Sequence, residues 1–231
     1  MSSIQKMLEC LTVPYQQKRT QEDSLVIQFQ ILPDLESWTL IVESGEELIL
    51  EKASSSVPDI IFTLRAETLQ SITSGEMTGL TAIARENISD KTPLDFELGP
   101  NTEMSSEIMA QFLRFVQRFF NPTVPEKIVL DQSHARLVHG AWAIPMFYHL
   151  GFRSAWYQIE KGQRLNEPGD TNPFPQAFVF LSGSGNVKIG DSVEEVEYGR
   201  AYFIPPGTEH LVWNEDQEPI TMIFLAWGES A

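Results

Sequence analysis

Gly199 to Asn214 reads GRAYFIPPGTEHLVWN, and this stretch decides the architecture of the second half of the chain. Ala201–Ile204 is rich in β-forming residues, Pro205-Pro206-Gly207 is a turn, and a second β-rich run begins at His210. A strand, a Pro-Gly turn and a returning strand point one side chain into a small β-barrel. Here that side chain is His210. Working outward, further strands are expected at 154–160, 177–181, 186–189, 193–197 and 221–227, with Gly190-Asp191 joining the middle pair. Gly, Pro, Asn and Asp punctuate them at intervals typical of a barrel or sandwich.

Upstream the texture changes. Met104–Phe120 places Ile108, Met109, Phe112, Leu113, Val116, Phe119 and Phe120 on one helical stripe, with Ser105 and Ser106 as candidate caps. Asn121-Pro122 and Pro125 end it, so NPTVPEK reads as a linker and the chain divides into domains at 1–122 and 123–231. The first domain reads as α+β. Helices are expected at 3–18, 66–74, 80–85 and 104–120, and strands at 25–30, 37–43, 47–51, 60–64 and 94–97. Gly75 ends the second helix, where a left-handed cap suits a residue without a side chain.

Composition narrows the function. Of 231 residues, 32 are acidic and 16 basic, a net charge of −16. The excess is shared, with 18 acids and 9 bases in residues 1–122 and 14 and 7 in the remainder. Such a field repels phosphate backbones and anionic lipid, so neither nucleic acid nor an anionic membrane surface is an expected partner. The start, MSSIQKMLEC, lacks the basic-then-apolar plan of a signal peptide, and no 18-residue uncharged span is present. A cytoplasmic protein without a membrane span is expected. The single cysteine, Cys10, excludes a disulfide framework and is expected to pack as a small apolar residue.

Two family resemblances follow from these residues. Gly199, Pro205, Gly207, His210 and Asn214 reproduce every fixed position of the second cupin motif, so residues 123–231 resemble a cupin, an all-β jelly-roll barrel. The first motif should supply two histidines, a glutamate and a glycine. Gln176–Gly183 reproduces the acid-to-glycine segment with Gln176 in the acid's place, and Asp170 and Asn172 fall where the histidines would be. Counting from Gly162 instead places Pro168 and Asp170 there, and neither register recovers a histidine. Residues 1–120 are similar to the type-two sterol carrier protein domain, on Trp38–Val42 with Gly45, Pro58–Leu64, Glu67, Leu69, Gly75–Met77, Ala82 and Ala84. They depart from it at Arg85–Asp90, where that family has a Gly-rich turn. The likeness implies an apolar tunnel for an acyl chain or sterol, although Met104, Ile108, Met109, Phe112, Leu113 and Phe115 could equally be core.

Amides in place of imidazole and carboxylate weaken any metal site, since Fe, Mn and Zn prefer charged or imidazole donors. No resident cofactor is therefore expected, and a divalent metal anchored on His210 is the alternative. His134, His139 and His149, separated by five and ten residues, do not share one strand face and make no metal cluster by themselves. His149 is a candidate for the barrel mouth. The reading put first is a two-domain binding protein. Asn172, Gln176, His210, Trp156, Phe178 and Tyr202 would hold a small polar or aromatic ligand, beside a lipid-binding or partner-binding first domain. The alternative is a cupin enzyme (isomerase, dehydratase or metal-dependent oxygenase) with His210 and Asp170 as acid and base. A third, purely structural role would use both domains for assembly. Aromatics Trp156, Phe178, Phe180, Tyr202, Phe203 and Trp227 are expected in the core, with Ala177, Ala201 and Gly183 leaving space for a cavity. The apolar edge at 137–147 would pair two copies as a homodimer.

Overall fold

The computed structural model describes residues 3–87 and 89–231, so Ile88 of the departing Arg85–Asp90 segment lies outside the described residues. It divides into two compact units, 1–128 and 129–231.

The first unit runs α1 (Ser3–Lys18), β1 (Leu25–Leu32), β2 (Glu36–Val42), β3 (Ile49–Glu51), β4 (Ile60–Arg65), α2 (Ala66–Ser74), α3 (Gly79–Ile83), β5 (Leu94–Leu98) and α4 (Ser106–Phe119). Its sheet has the order β3-β2-β1-β4-β5, with β1 and β4 parallel and the other neighbours antiparallel. Helix α4 begins where the Ser105 hydroxyl accepts from the Ile108 amide at 3.1 Å, satisfying a donor that the first turn leaves open. Helix α2 stops at Gly75, whose φ of 83° closes a backbone bond to Ile72.

The α4 stripe meets the sheet through rings. Phe115 stacks on Phe62 at 5.8 Å, Phe119 on Phe29 at 5.4 Å, and Tyr15 of α1 meets Phe115 edge-on at 5.3 Å. All five rings are fully buried. They pack the layer between the sheet and α4. Met104, Ile108, Met109 and Leu113 lie outside this layer and keep solvent contact. A buried ion pair pins the helix: Arg114 Nε donates to Asp23 Oδ1 at 2.9 Å, and Asp23 is 1% exposed. Cys10 is exposed, contrary to expectation, because the buried stripe of α1 is Ile4, Leu8, Leu11 and Tyr15 and Cys10 falls off it.

In the second unit a 3-10 turn (Gln132–His134) precedes β6 (Arg136–Val138), β7 (Ala141–His149), β8 (Phe152–Ile159), β9 (Arg164–Leu165) and β10 (Gln176–Ser182). Then follow β11 (Asn186–Ile189), β12 (Ser192–Glu195), β13 (Ala201–Ile204), β14 (His210–Trp213) and β15 (Ile220–Trp227). Two antiparallel sheets, β13-β10-β15-β8-β7-β6 and β12-β11-β14-β9, share one interior. Alternation decides what faces it. Ile159, Phe178, Phe180, Val187, Val212, Ile220 and Met222 point in and are buried.

The same alternation corrects several expectations. Phe203 is 70% exposed and Trp227 37%, so both lie outside the core. Ala177 and Ala201 share their strand faces with Phe203 rather than with the interior. Gly183 is a turn residue whose missing Cβ makes room for the Pro219 carbonyl. The stretch 137–147 is not one edge strand, since β7 lies between β8 and β6 and only three-residue β6 forms the edge.

Candidate functional site

His210 opens β14 and points into the barrel, 2% exposed. Pro205-Pro206-Gly207 sets up this position, since Gly207 at φ 71° takes a turn conformation that other residues rarely adopt. Its amide donates to the Asn172 carbonyl at 2.7 Å. The loop after β9 is tied down at two further points: Asn166 Nδ2 to the His210 carbonyl at 3.2 Å, and the Gly169 amide to Glu209 Oε1 at 2.8 Å. Glu209 is in turn held by Lys188. This lacing brings Asn172 against the inner face of β10.

The imidazole is fixed by its partners. Nδ1 lies 2.9 Å from the Thr208 carbonyl, which can only accept, so Nδ1 carries the proton. Nε2 is then the acceptor. It receives Gln176 Nε2 at 2.9 Å and Asn172 Nδ2 at 3.3 Å, while Asn172 Nδ2 also reaches Gln176 Oε1 at 3.3 Å. Gln176 Nε2 also lies 3.2 Å from Nδ1, but that nitrogen already donates to Thr208, so the bond belongs to Nε2. Burial pushes the His210 pKa below its ordinary value, against the opposing pull of the Thr208 carbonyl, Asp170 and Glu209. The ring is therefore neutral near pH 7.

Three of the expected site residues thus meet: Asn172, Gln176 and His210. Phe178 stands beside them, its ring 5.8 Å from the imidazole, and packs on Phe224 at 6.4 Å. Tyr202 also faces the interior, but its ring packs on Phe180 at 5.4 Å and its hydroxyl donates to the Glu195 carbonyl. Trp156 lies on the opposite face of its sheet, opposite Ile144 and Ile223, whereas its neighbours Ala155 and Tyr157 share a face with the interior. Asp170 is exposed, and its carboxylate accepts from the Glu167 amide at 2.8 Å. It acts on His210 through space and not through a hydrogen bond. His149 is exposed, its Nδ1 2.9 Å from the Leu150 carbonyl. A bulge between Pro145 and Phe147 turns Tyr148, not His149, toward the barrel. His134 bonds Asp131 locally, and His139 sits in the β6–β7 turn at φ 54°.

Metal chemistry does not fit this donor set. The Nε2 lone pair that would ligate a cation already faces two N–H groups, and the neighbours are neutral amides. Among the described residues no three His, Cys, Asp or Glu side chains converge.

Two features of the barrel were not anticipated. Tyr157 points inward yet stays half-buried, and burial raises its phenol pKa. Arg153 stands directly across from Ala226, which stands across from Gln176, so all three share the inner face. Counting back by twos from Ile159 through Tyr157 and Ala155 reaches Arg153. The strand expected at 154–160 begins one residue too late to include it.

Residues 155–226 match the family model of the cupin domain. No curated protein matches the chain in sequence. Among solved structures, a Cupin 2 conserved barrel domain protein from Salinispora arenicola is 20% identical, with a TM-score of 0.40, over 45% of this chain and 88% of that one. The plu4264 protein from Photorhabdus luminescens is 18% identical, with a TM-score of 0.41 and the same coverages. An RmlC-like cupin from Shewanella frigidimarina is 13% identical, with a TM-score of 0.37, over 42% of this chain and 82% of that one. The family match lies wholly in the barrel, and the first unit stands as a layer of helices on a sheet. The C-terminal unit of the chain contains a cupin domain.

Proposed function

We propose that the barrel binds a small polar or aromatic molecule without a metal, through Asn172, Gln176 and His210 beside the rings of Phe178 and Phe224. One observation carries this reading. Where a metal centre of this barrel type would present imidazole and carboxylate donors, His210 Nε2 is held by two amide N–H groups. The Asn172 carbonyl oxygen of the side chain accepts no hydrogen bond among the described residues, so it is open to a ligand donor. Half-buried inward rings such as Phe224 and Tyr157 are what an incompletely filled barrel end presents.

The enzyme alternative, an isomerase, dehydratase or metal-dependent oxygenase, needs His210 and Asp170 at one reacting centre. An exposed Asp170 bonded to the Glu167 amide favours binding over turnover. For the first unit the reading is a companion module for an apolar or acyl ligand or a partner protein. That part rests on its sequence likeness alone, and its filled aromatic layer favours the partner. A homodimer would pair along the short edge strand β6.

Native mass spectrometry of the full chain, grown in metal-supplemented medium and compared with a denatured control, tests the metal-free reading. The expected spectrum shows no stoichiometric divalent metal, with or without a co-purified organic mass. One metal per chain would move the assignment to a metalloenzyme. The protomer count comes from the same spectrum.

A further inference from the structure

The barrel interior carries a cation that the His210 cluster does not use. Arg153 faces inward and is half-buried, with its guanidinium 5.7 Å from the centre of the Tyr148 ring and 5.5 Å from that of Phe174. Tyr148 is directly opposite Arg153 across the β7–β8 pairing. Phe174 packs on Ala226, the residue between Arg153 and Gln176. Among the described residues no Asp or Glu pairs with Arg153, in a chain whose net charge is −16. The other charged arginine contacts of this unit include Arg164 with Glu167 and Arg200 with Glu197, both satisfied by near neighbours.

Two aromatic faces steady a guanidinium through its π-surface and leave its N–H edge to a planar anion, which it grips bidentately. A cation half-removed from water and left without an anion is unfavourable unless a ligand supplies one. The register sets the distance. Arg153 and Gln176 are two strand spacings apart, about 10 Å between backbones. Alongside this row, the rings of His210, Phe178, Phe224 and Tyr157 follow one another at 5.8, 6.4 and 6.4 Å, with Phe178 and Phe224 one inward step along the strands from Gln176 and Ala226, and Tyr157 two steps from Arg153. The Tyr157 hydroxyl makes no hydrogen bond among the described residues, and only its raised pKa, caused by burial and by Tyr148, marks its surroundings.

We propose that the ligand of this barrel is a small planar carboxylate, its anionic group taken by Arg153 and its far polar end by the Gln176–Asn172–His210 cluster. This rests on the reading of the barrel as a binding site and adds the charge of what it binds. A neutral ligand would leave Arg153 unmatched. The same guanidinium would discriminate against amides and esters of the acid.

The test uses the full chain with 4-hydroxyphenylacetate and its matched primary amide as probes, followed by calorimetry and by NMR of the Arg153 side-chain Nε–H. The acid should bind at least about tenfold more tightly than the amide and shift the Arg153 signal. Arg153→Met should abolish that preference, and Arg153→Lys, which keeps the charge without the fork, should retain part of it. Thermal melts establish that each variant is folded. Equal binding of acid and amide, with Arg153→Met unaffected, would overturn the carboxylate assignment and leave the binding site standing. Binding of neither probe, with no shift at Phe178, Phe224 or His210, would count against both.

Discussion

Gln176 donates to Nε2 of His210 at 2.9 Å, so the lone pair of that ring nitrogen is engaged in a hydrogen bond. The imidazole is held from both sides, since Nδ1 donates to Thr208. The ring is thus held in one tautomer and kept neutral by burial.

Replacing Gln176 by Glu should reverse the electrostatics of the ring. An anionic carboxylate at that contact favours the imidazolium, so the His210 pKa should rise above its native position. Titration of the imidazole signals by NMR measures this. Adding Asn172→His would assemble two imidazoles and a carboxylate, and the double variant should take up one divalent metal per chain in native spectra.

Acidification should weaken the native barrel through His210. Its folded pKa is lowered mainly by burial, so the unfolded chain binds the proton first. Stability contributed by the neutral ring is full above about pH 6.5 and is lost as pH falls through the folded value. Urea midpoints between pH 7.5 and 5.5 should decline more steeply for the native chain than for His210→Asn.

Much of this architecture is legible in the chain because local chemistry repeats it. The 3.6-residue stripe of α4, the Gly75 stop and the Pro-Gly turn before His210 all state their conformation within a few residues. What was not legible needed pairing partners. Trp156 and Tyr157 are adjacent, and only the register against Ile223 and Met222 decides which one faces in. The bulge after Pro145 exchanges His149 for Tyr148 at the inner face, and nothing in the alternation announces it. Asp170 lies two residues from Asn172, but the turn bonded to Glu167 aims it at solvent.

Asn214 has a purely structural assignment. Buried beneath β14, it donates to the carbonyls of Ile159 and Glu218 and accepts from the Asp216 amide. Asn214→Ala leaves these groups unpaired and should destabilise the barrel by about 2 kcal/mol. Probe affinity should be unchanged in the folded fraction.

In the first unit, Arg114→Met would strand the carboxylate of Asp23, which is buried. A loss of about 3–5 kcal/mol is expected in denaturant titrations. Asp23→Asn combined with Arg114→Met should recover part of it, because no uncompensated charge remains.

On the binding reading proposed above, His210 serves ligand recognition as a neutral ring and not as a metal ligand. Long-range 1H–15N spectra of the His210 imidazole, recorded at pH 7 with and without equimolar Zn2+, test it most directly. The expected spectrum shows the Nδ1–H tautomer with Nε2 as acceptor, unchanged by the metal. A coordination shift at Nε2 at one equivalent of Zn2+ would instead make His210 a metal ligand.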